Sequence, residues 1–477
     1  MASPTLFQGY RLTRRRILAA AALVAGLLLR LWFVRVYPQV LGDTLIYGAL
    51  AKNLLLHGVY GFHAAGGLRP TLIRLPGYPF FLAACFRLFG MEHYTAVLYA
   101  QVWVDLITCL LIASLTANLF GRRAGLVALW IAALCPFTAN YVATPLTETL
   151  SIFCVALAFH SLMRWRRQMA AGHGLGSPFW LLVFSMSYAI LLRPDGGLLP
   201  AAVCPAMLFF AWQRAGAKRA ISLVLLCSAC TLLPLTPWAE RNWREFHVFQ
   251  PLAPISATDP GEFIDNGFNR WYRTWAIDYV STEEVYWPEN SDMIDLADLP
   301  SRAFDSPQQR KQTADLLADY NINSTMTPAL DARFDALARQ RIATHPLRYY
   351  IALPLARLAD MWLRPRLELL PQEHAHWWRN SPDSSPHQIT TALAAAGLNL
   401  LYLAAALVGA WRVARFGPSA ARAILWPMIL FVLLRSALLA TIDAAEPRYT
   451  LECFPIVLVF AASLAMNNRE LAKAPQN

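Results

Sequence analysis

Seven long apolar stretches, residues 17–36, 96–119, 124–142, 221–238, 391–411, 423–442 and 449–466, govern what this chain can fold into. About 20 residues of α-helix at 1.5 Å each cross the roughly 30 Å of hydrocarbon in a bilayer. Helix is the form expected in every one, because backbone groups inside lipid must satisfy one another. Three shorter stretches, 149–163, 178–192 and 198–212, read as further spans. Two others are ambiguous: 78–89 is too short, and 346–362 carries Arg348, Arg357 and Asp360.

Charge decides those two. Basic clusters occur at Arg14–Arg16, Arg122 and Arg123, Arg164–Arg167, Arg214 to Arg219, and Arg412 and Arg415. Cytoplasmic loops carry such clusters under the positive-inside rule. With the amino terminus cytoplasmic, all of them fall inside only if 78–89 and 346–362 lie on the outer surface as interfacial helices. The expectation is an all-α polytopic membrane protein with about ten transmembrane helices and both termini inside. Residues 1–238 form an amino-terminal transmembrane module with an outer loop at 37–95. Residues 239–390 form a large, mainly helical outer region, and 391–477 hold the last spans. The first span starts basic but is long and has late arginines, as in an uncleaved signal anchor.

Composition agrees: 57% of residues are hydrophobic, above the usual soluble range. The net charge of +11 arises from the loop clusters, while 21 of the 30 acids lie between Glu240 and Asp383, so nucleic acid is not an expected partner. The outer region has no cysteine between Asn242 and Asn380, and therefore no disulfide framework. Cys227 and Cys230 form a C-x-x-C inside an apolar helix and are read as packing residues.

Local signals divide the outer segments. A short helix is predicted behind Asp43 and stops at Gly58; a second over 78–89 stops at Gly90. Ser306-Pro307 and Thr327-Pro328 each read as an N-cap followed by proline, predicting helices over 307–320 and 328–344. Residues 260–300 show no period and read as loop.

The polar groups at the outer ends of the spans carry the chemistry. They include Asp43, Lys52, His57, Arg74, Glu148, Arg193, Asp195, Arg241, Arg435, Glu446 and Arg448. Arginine forks match phosphate oxygens, a carboxylate can take a proton from a hydroxyl, and fixed cations stabilise a departing phosphate. Structural roles stand beside these. Asp43 can be the N-cap of its helix, and Glu148 a first-turn acid favoured by the helix dipole. Arg30, Arg35 and Arg193 can snorkel toward headgroups. Asp105 can pair with a buried arginine, and Arg435, deep in its span, needs a partner or a cavity. The aromatic residues of "NRWYRTWAIDYV" (269–280) are read as interfacial anchors, with stacking on sugars as the other use. Neither a phosphate loop nor a nucleotide fingerprint is present, and one acid at Asp43 is too few for a divalent cation. No cofactor is expected; a divalent metal is possible but not indicated.

Ordered motifs add a family. "YGALAKNLLLHGVY" behind Asp43, "RLPGYPFFLAACFRLFG", "GRRAGLVALWIAAL", "TPLTETL", "LLRPDG", "TPWAERNW", "THPLRYYIALPLARLADMW" and "EPRYTLECFP" follow one another. The chain thereby resembles GT-C glycosyltransferases of the protein-mannosyltransferase and aminoarabinose-transferase type (glycosyltransferase family 39-like), over all but about residues 260–306. The resemblance implies a GT-C fold and an inverting transfer of a single sugar from a polyprenyl-phosphate donor to an acceptor hydroxyl outside a bacterial inner membrane. The acceptor can be lipid, protein or polysaccharide. It implies Asp43 as catalytic base, Glu148 as a second acid near the site, and Arg74 on the lipid phosphate. Arg193, Arg241, Arg448, Arg435, Tyr47 and His57 are implied as substrate- or phosphate-binding residues. Thr44 stands where many relatives carry a second acid. A flippase for lipid-linked sugars, or a lipid-linked glycan ligase or polymerase, are the alternatives.

Overall fold

The computed structural model describes residues 4–64, 66–254, 256–370 and 386–466, with side chains from Arg14 onward. Its chain contacts divide it into two units. The first comprises the described residues of Met1–Pro260, Leu401–Leu434 and Leu451–Asn477, the second those of Gly261–Leu400 and Arg435–Thr450.

Helix α1 (Pro4–Val36) opens the first unit, followed by α2 (Asp43–His57), a hairpin of β1 (Gly61–Ala64) and β2 (Gly67–Pro70), and α3 (Gly77–Phe89). The hairpin, with Gly61 opposite Pro70, was not expected. It depends on Gly61, where a Cβ would lie 1.9 Å from the Arg69 carbonyl oxygen. Helices α4 (Tyr94–Phe120), α5 (Arg122–Ala133), α6 (Pro136–Ala139), α7 (Glu148–Ala170), α8 (Ser177–Leu192), α9 (Leu198–Leu232) and α10 (Leu235–Phe246) follow.

Among the described residues five helices are long and apolar enough to cross a bilayer, and a sixth span is counted if α5 and the segment Pro136–Ala143, bent by 50°, act as one. The bend falls at Pro136, which cannot donate an N–H to the preceding turn. The expected spans 198–212 and 221–238 lie on the two arms of α9, which fold back on each other: Cys204 Sγ and Ser228 Oγ, 24 residues apart in the chain, lie 3.9 Å from one another. Gly216, at φ 78° and ψ 166°, breaks it between the basic residues Arg214 and Lys218. The second expected span ends early, at Leu232, and Trp238 belongs to the separate α10. The expected helix 449–466 is replaced by a 3-10 turn over Pro447–Cys453 and a ten-residue helix, α18 (Phe454–Ser463). At 2.0 and 1.5 Å per residue the pair together covers about 29 Å.

Arg30 corrects its expected snorkelling. It is fully buried on α1, donating to Asp105 of α4 at 2.6 Å and to the carbonyls of Gly26 and Ala133 at 2.9 and 2.7 Å. A lone charge there is costly, so the pair and the carbonyls hold α1, α4 and α5 together.

The second unit contains α11 (Asn266–Arg273), α12 (Tyr279–Ser281), α13 (Pro307–Asn321), α14 (Pro328–Thr344) and α15 (Leu353–Leu363). Helices α16 (Pro386–Phe416) and α17 (Ser419–Leu439) are continuous apolar helices. Both predicted N-caps form: Ser306 accepts from the Gln309 N–H and Thr327 from the Leu330 N–H. Residues 260–300 are not simple loop. Phe268, Trp271, Tyr272 and Trp275 are entirely buried and form the centre of a core with Phe334, Leu316 and Tyr320. They are neither anchors in lipid nor a platform for sugars. Periodicity missed this segment because its helices last only one or two turns.

Candidate active site

The site in the first unit is assembled by backbone ties before any side chain reaches it. After α1 the chain runs to Gln39, whose N–H donates to the Ala143 carbonyl at 2.9 Å, while the Thr144 hydroxyl donates to the Gln39 carbonyl at 2.9 Å. Each strand of this tie reaches an acid four residues later, Asp43 at the start of α2 and Glu148 at the start of α7.

Asp43 is not the N-cap. That position is Gly42, at φ 53°, with no side-chain cap bond, so Asp43 is the first helical residue. Its carboxylate accepts from Arg74 Nη2 at 2.9 Å. The Arg74 main chain is held in turn: Tyr60 donates its hydroxyl to the Arg74 and Leu75 carbonyls at 3.0 and 3.2 Å. The Tyr60 ring stands edge-on to Trp238 at 5.0 Å.

Three residues on, Gly77 permits a backbone-to-backbone approach. A Cβ there would lie 2.6 Å from the Leu191 carbonyl carbon. Tyr188 of α8 also donates its hydroxyl to the Gly77 carbonyl at 3.2 Å. The start of α3 is thus seated on the end of α8, and the next residue out of α8 is Arg193. Its guanidinium lies 3.1 Å from Asp195, 3.5 Å from Glu148 and 3.7 Å from Glu452. Of the two readings of Arg193, snorkelling gives way to pairing with carboxylates. Glu148 is only 3% exposed, and the positive end of the α7 dipole supports its charge.

Tyr47, one turn beyond Asp43, stands among these groups. Its hydroxyl is pushed up to about 12, chiefly by burial, while Arg74 and Arg193 oppose the rise and Asp43 and Glu148 add to it. It stays a neutral donor at any physiological pH. The Tyr47 ring meets Tyr78 edge-on at 5.2 Å, and Tyr78 donates to Gln101 at 2.7 Å.

Other expected residues lie elsewhere. His57 is exposed at the far end of α2, about 21 Å along the axis from Asp43. Its ring is 5.9 Å from that of His63. Lys52 pairs with Glu92 at 2.7 Å on the surface. Arg241 donates to the Thr71 and Tyr60 carbonyls at 2.7 and 2.8 Å and sits over the rings of Trp238, Tyr60 and Phe246, so it clasps the hairpin segment to α10.

Arg448 and Arg435 belong to the second unit. There Arg448 pairs with Glu446 at 2.6 Å, and the Tyr449 hydroxyl donates to the same carboxylate at 2.6 Å. Arg435, fully buried, donates Nε to the Tyr449 carbonyl at 2.7 Å. Arg366 fixes the same turn, donating to the Pro447 carbonyl at 2.6 Å.

Sequence reasoning missed Glu452 and Gln101. Glu452 lies inside the expected span 449–466, and a carboxylate within a span is the available signal. Among the described residues no group of three or more His, Cys, Asp or Glu is arranged to hold a metal. The Thr44 hydroxyl is turned to the Leu41 carbonyl at 2.8 Å.

Comparison with known proteins places residues 69–238 in a match to the family model described as dolichyl-phosphate-mannose-protein mannosyltransferase. The motif resemblance to GT-C glycosyltransferases of the protein-mannosyltransferase type holds over that segment. No curated protein sequence matches the chain. Among solved structures it is similar to the oligosaccharyltransferase AglB of Archaeoglobus fulgidus, in complex with an inhibitory peptide and a dolichol-phosphate, at 12% identity and a TM-score of 0.48. That match covers 94% of this chain and 50% of that one. The chain thus spans about half the length of the archaeal enzyme. It is also similar to ArnT of Cupriavidus metallidurans in the apo state, at 14% identity and a TM-score of 0.40, over 92% of this chain and 78% of that one. The same protein bound to undecaprenyl phosphate gives 12% identity and a TM-score of 0.38, over 94% and 77%.

Proposed function

We propose that this chain is a membrane glycosyltransferase that moves a single sugar, with inversion, from a polyprenyl-phosphate donor to an acceptor hydroxyl on the extracytoplasmic face of a bacterial plasma membrane. The observation that carries the reading is the grouping of Asp43, Arg74, Glu148 and Arg193 about the buried hydroxyl of Tyr47. Asp43 takes the proton of the acceptor hydroxyl as its oxygen attacks the anomeric carbon. The bond from that carbon to the phosphate oxygen breaks, and the polyprenyl phosphate leaves with its added negative charge facing arginine. One displacement inverts the centre.

The Arg74–Asp43 pair gives this scheme an order. A phosphate competes with the carboxylate for the same guanidinium, so donor arrival draws Arg74 away and leaves Asp43 a better base. Asp195, Glu148 and Glu452 hold Arg193 in place. No metal enters this proposal: the phosphate charge is met by arginine, and the Thr44 hydroxyl is turned to the Leu41 carbonyl.

The test incubates the purified protein with a panel of polyprenyl-phosphate sugars and an extract of envelope acceptors, and measures released polyprenyl phosphate. Release with one donor, lost in Asp43→Asn, is the expected result. Passage of the intact donor between leaflets with no bond cleaved would replace this reading with that of a flippase.

A further inference from the structure

A polar cavity of about 510 Å³ opens far from the candidate active site, lined by Ser114, Asn118, His160, Arg164, Arg167 and Gln168 together with the start of α8. Along α7, Arg164 and Arg167 lie about 24 and 28 Å from Glu148, so the cavity belongs to the opposite end of that helix. We infer that it is a binding site for the phosphate of an anionic phospholipid headgroup from the basic leaflet.

Residues 106–147, 149–194 and 196–239 contain no Asp or Glu at all, while Arg122, Arg123, Arg164, Arg166, Arg167, Arg214, Lys218 and Arg219 lie among them. The cavity's cations therefore have no carboxylate on these segments to balance them. Arg167 is fixed as a donor platform, bonding the Asn118 side chain at 2.7 Å and its carbonyl at 2.9 Å. Arg164 is exposed and makes no hydrogen bond or ion pair among the described residues.

His160 is 7% exposed, and its Nε2 is engaged with the Ser114 hydroxyl at 3.1 Å. Its Nδ1 is buried without a partner. With the Ser114 hydroxyl donating to Nε2, Nδ1 carries the proton and offers a donor to a headgroup oxygen. The positive end of the 16-residue α8 faces the same space and adds a fixed partial charge.

Depth selects a lipid over a soluble anion. His160 lies about 15 Å inside the Ala170 end of α7, so a phosphate seated by Arg164 and Arg167 can extend its glycerol toward His160 and its chains into the bilayer. Basic pockets between spans on the cytoplasmic side suit anionic headgroups in this way.

The experiment uses the full chain in detergent and reads lipid retention by native mass spectrometry and the unfolding midpoint. Separate arms add phosphatidylglycerol, phosphatidylcholine or inorganic phosphate. Wild type is expected to retain one phosphatidylglycerol in preference to phosphatidylcholine and to gain stability from it. Arg164→Gln should weaken that retention about five-fold, as loss of one surface cation implies. His160→Phe, which fills the floor without altering charge, should weaken it as well, and Arg415→Gln should leave it unchanged. Equal retention of the two lipids, full stabilisation by inorganic phosphate alone, an unaffected Arg164→Gln, or an Arg415→Gln that loses as much, each overturns the assignment.

Discussion

Arg74 Nη2 lies 2.9 Å from Asp43 Oδ1, joining the segment between the hairpin and α3 to the first turn of α2. Each partner is part-exposed, at 24% and 34% of the side chain, so the pair can open without breaking the core. Removing the acid should therefore separate binding from chemistry. Asp43→Asn is expected to lower turnover by about 10²- to 10⁴-fold while donor affinity holds or improves, because Arg74 is released to the phosphate. Arg74→Ala is expected to weaken donor binding. Binding and single-turnover assays on the two variants check this; a donor affinity that falls with Asp43→Asn contradicts the exchange.

Tyr47→Phe removes a donor that stays neutral. A several-fold fall in kcat/KM with no change in the shape of the pH profile below pH 10 is expected. Burial raises the folded-state value of the hydroxyl from 10.0 to about 12. Its favourable effect on stability is thus whole below pH 10 and is lost as pH rises toward 12. Alkaline unfolding of wild type and Tyr47→Phe in detergent measures the difference, with the variant the less sensitive.

Gly77→Ala places a methyl against the Leu191 backbone. Overpacking of this kind costs about 1–3 kcal/mol. Because the shift is transmitted to both Arg74 and Arg193, turnover should fall by more than the lowered unfolding midpoint explains. An active, merely less stable variant would show that the seat of α3 on α8 does not set the site.

Arg30→Ala leaves Asp105 buried without its cation, and breaking such a pair costs about 3–5 kcal/mol. The double substitution Arg30→Met, Asp105→Leu should recover most of the loss. Thermal unfolding of the three proteins tests the pair, with no recovery in the double variant as the contrary result.

Trp271→Ala should loosen the second unit, at about 3–5 kcal/mol. Limited proteolysis is expected to open residues 261–344 first. Loss of sugar binding with an unchanged proteolysis pattern would restore the stacking role that burial denies it.

The helical membrane class was legible because lipid leaves the backbone few options. The caps at Ser306 and Thr327 were legible because they are local chemistry. Arg30 was misread for the opposite reason: snorkelling and pairing look identical in one sequence, and the partner that decides between them lies on another helix. Trp271 and Trp275 were misread because aromatic enrichment does not distinguish a membrane rim from the inside of a small core. In the site, Asp43 and Arg74 stood out as outer charges beside motifs. The joint grip on Arg193 by Glu148 and Glu452 depends on folding, since nothing near either acid in the chain names the other.

The turn Pro447–Cys453 advances about 2.0 Å per residue where an α-helix would advance 1.5 Å. Over its seven residues that is roughly 3.5 Å of extra reach. Rewinding it as α-helix would retract Glu452 and rotate it off Arg193. The coil type of a single turn is therefore a dial on how firmly one guanidinium is held.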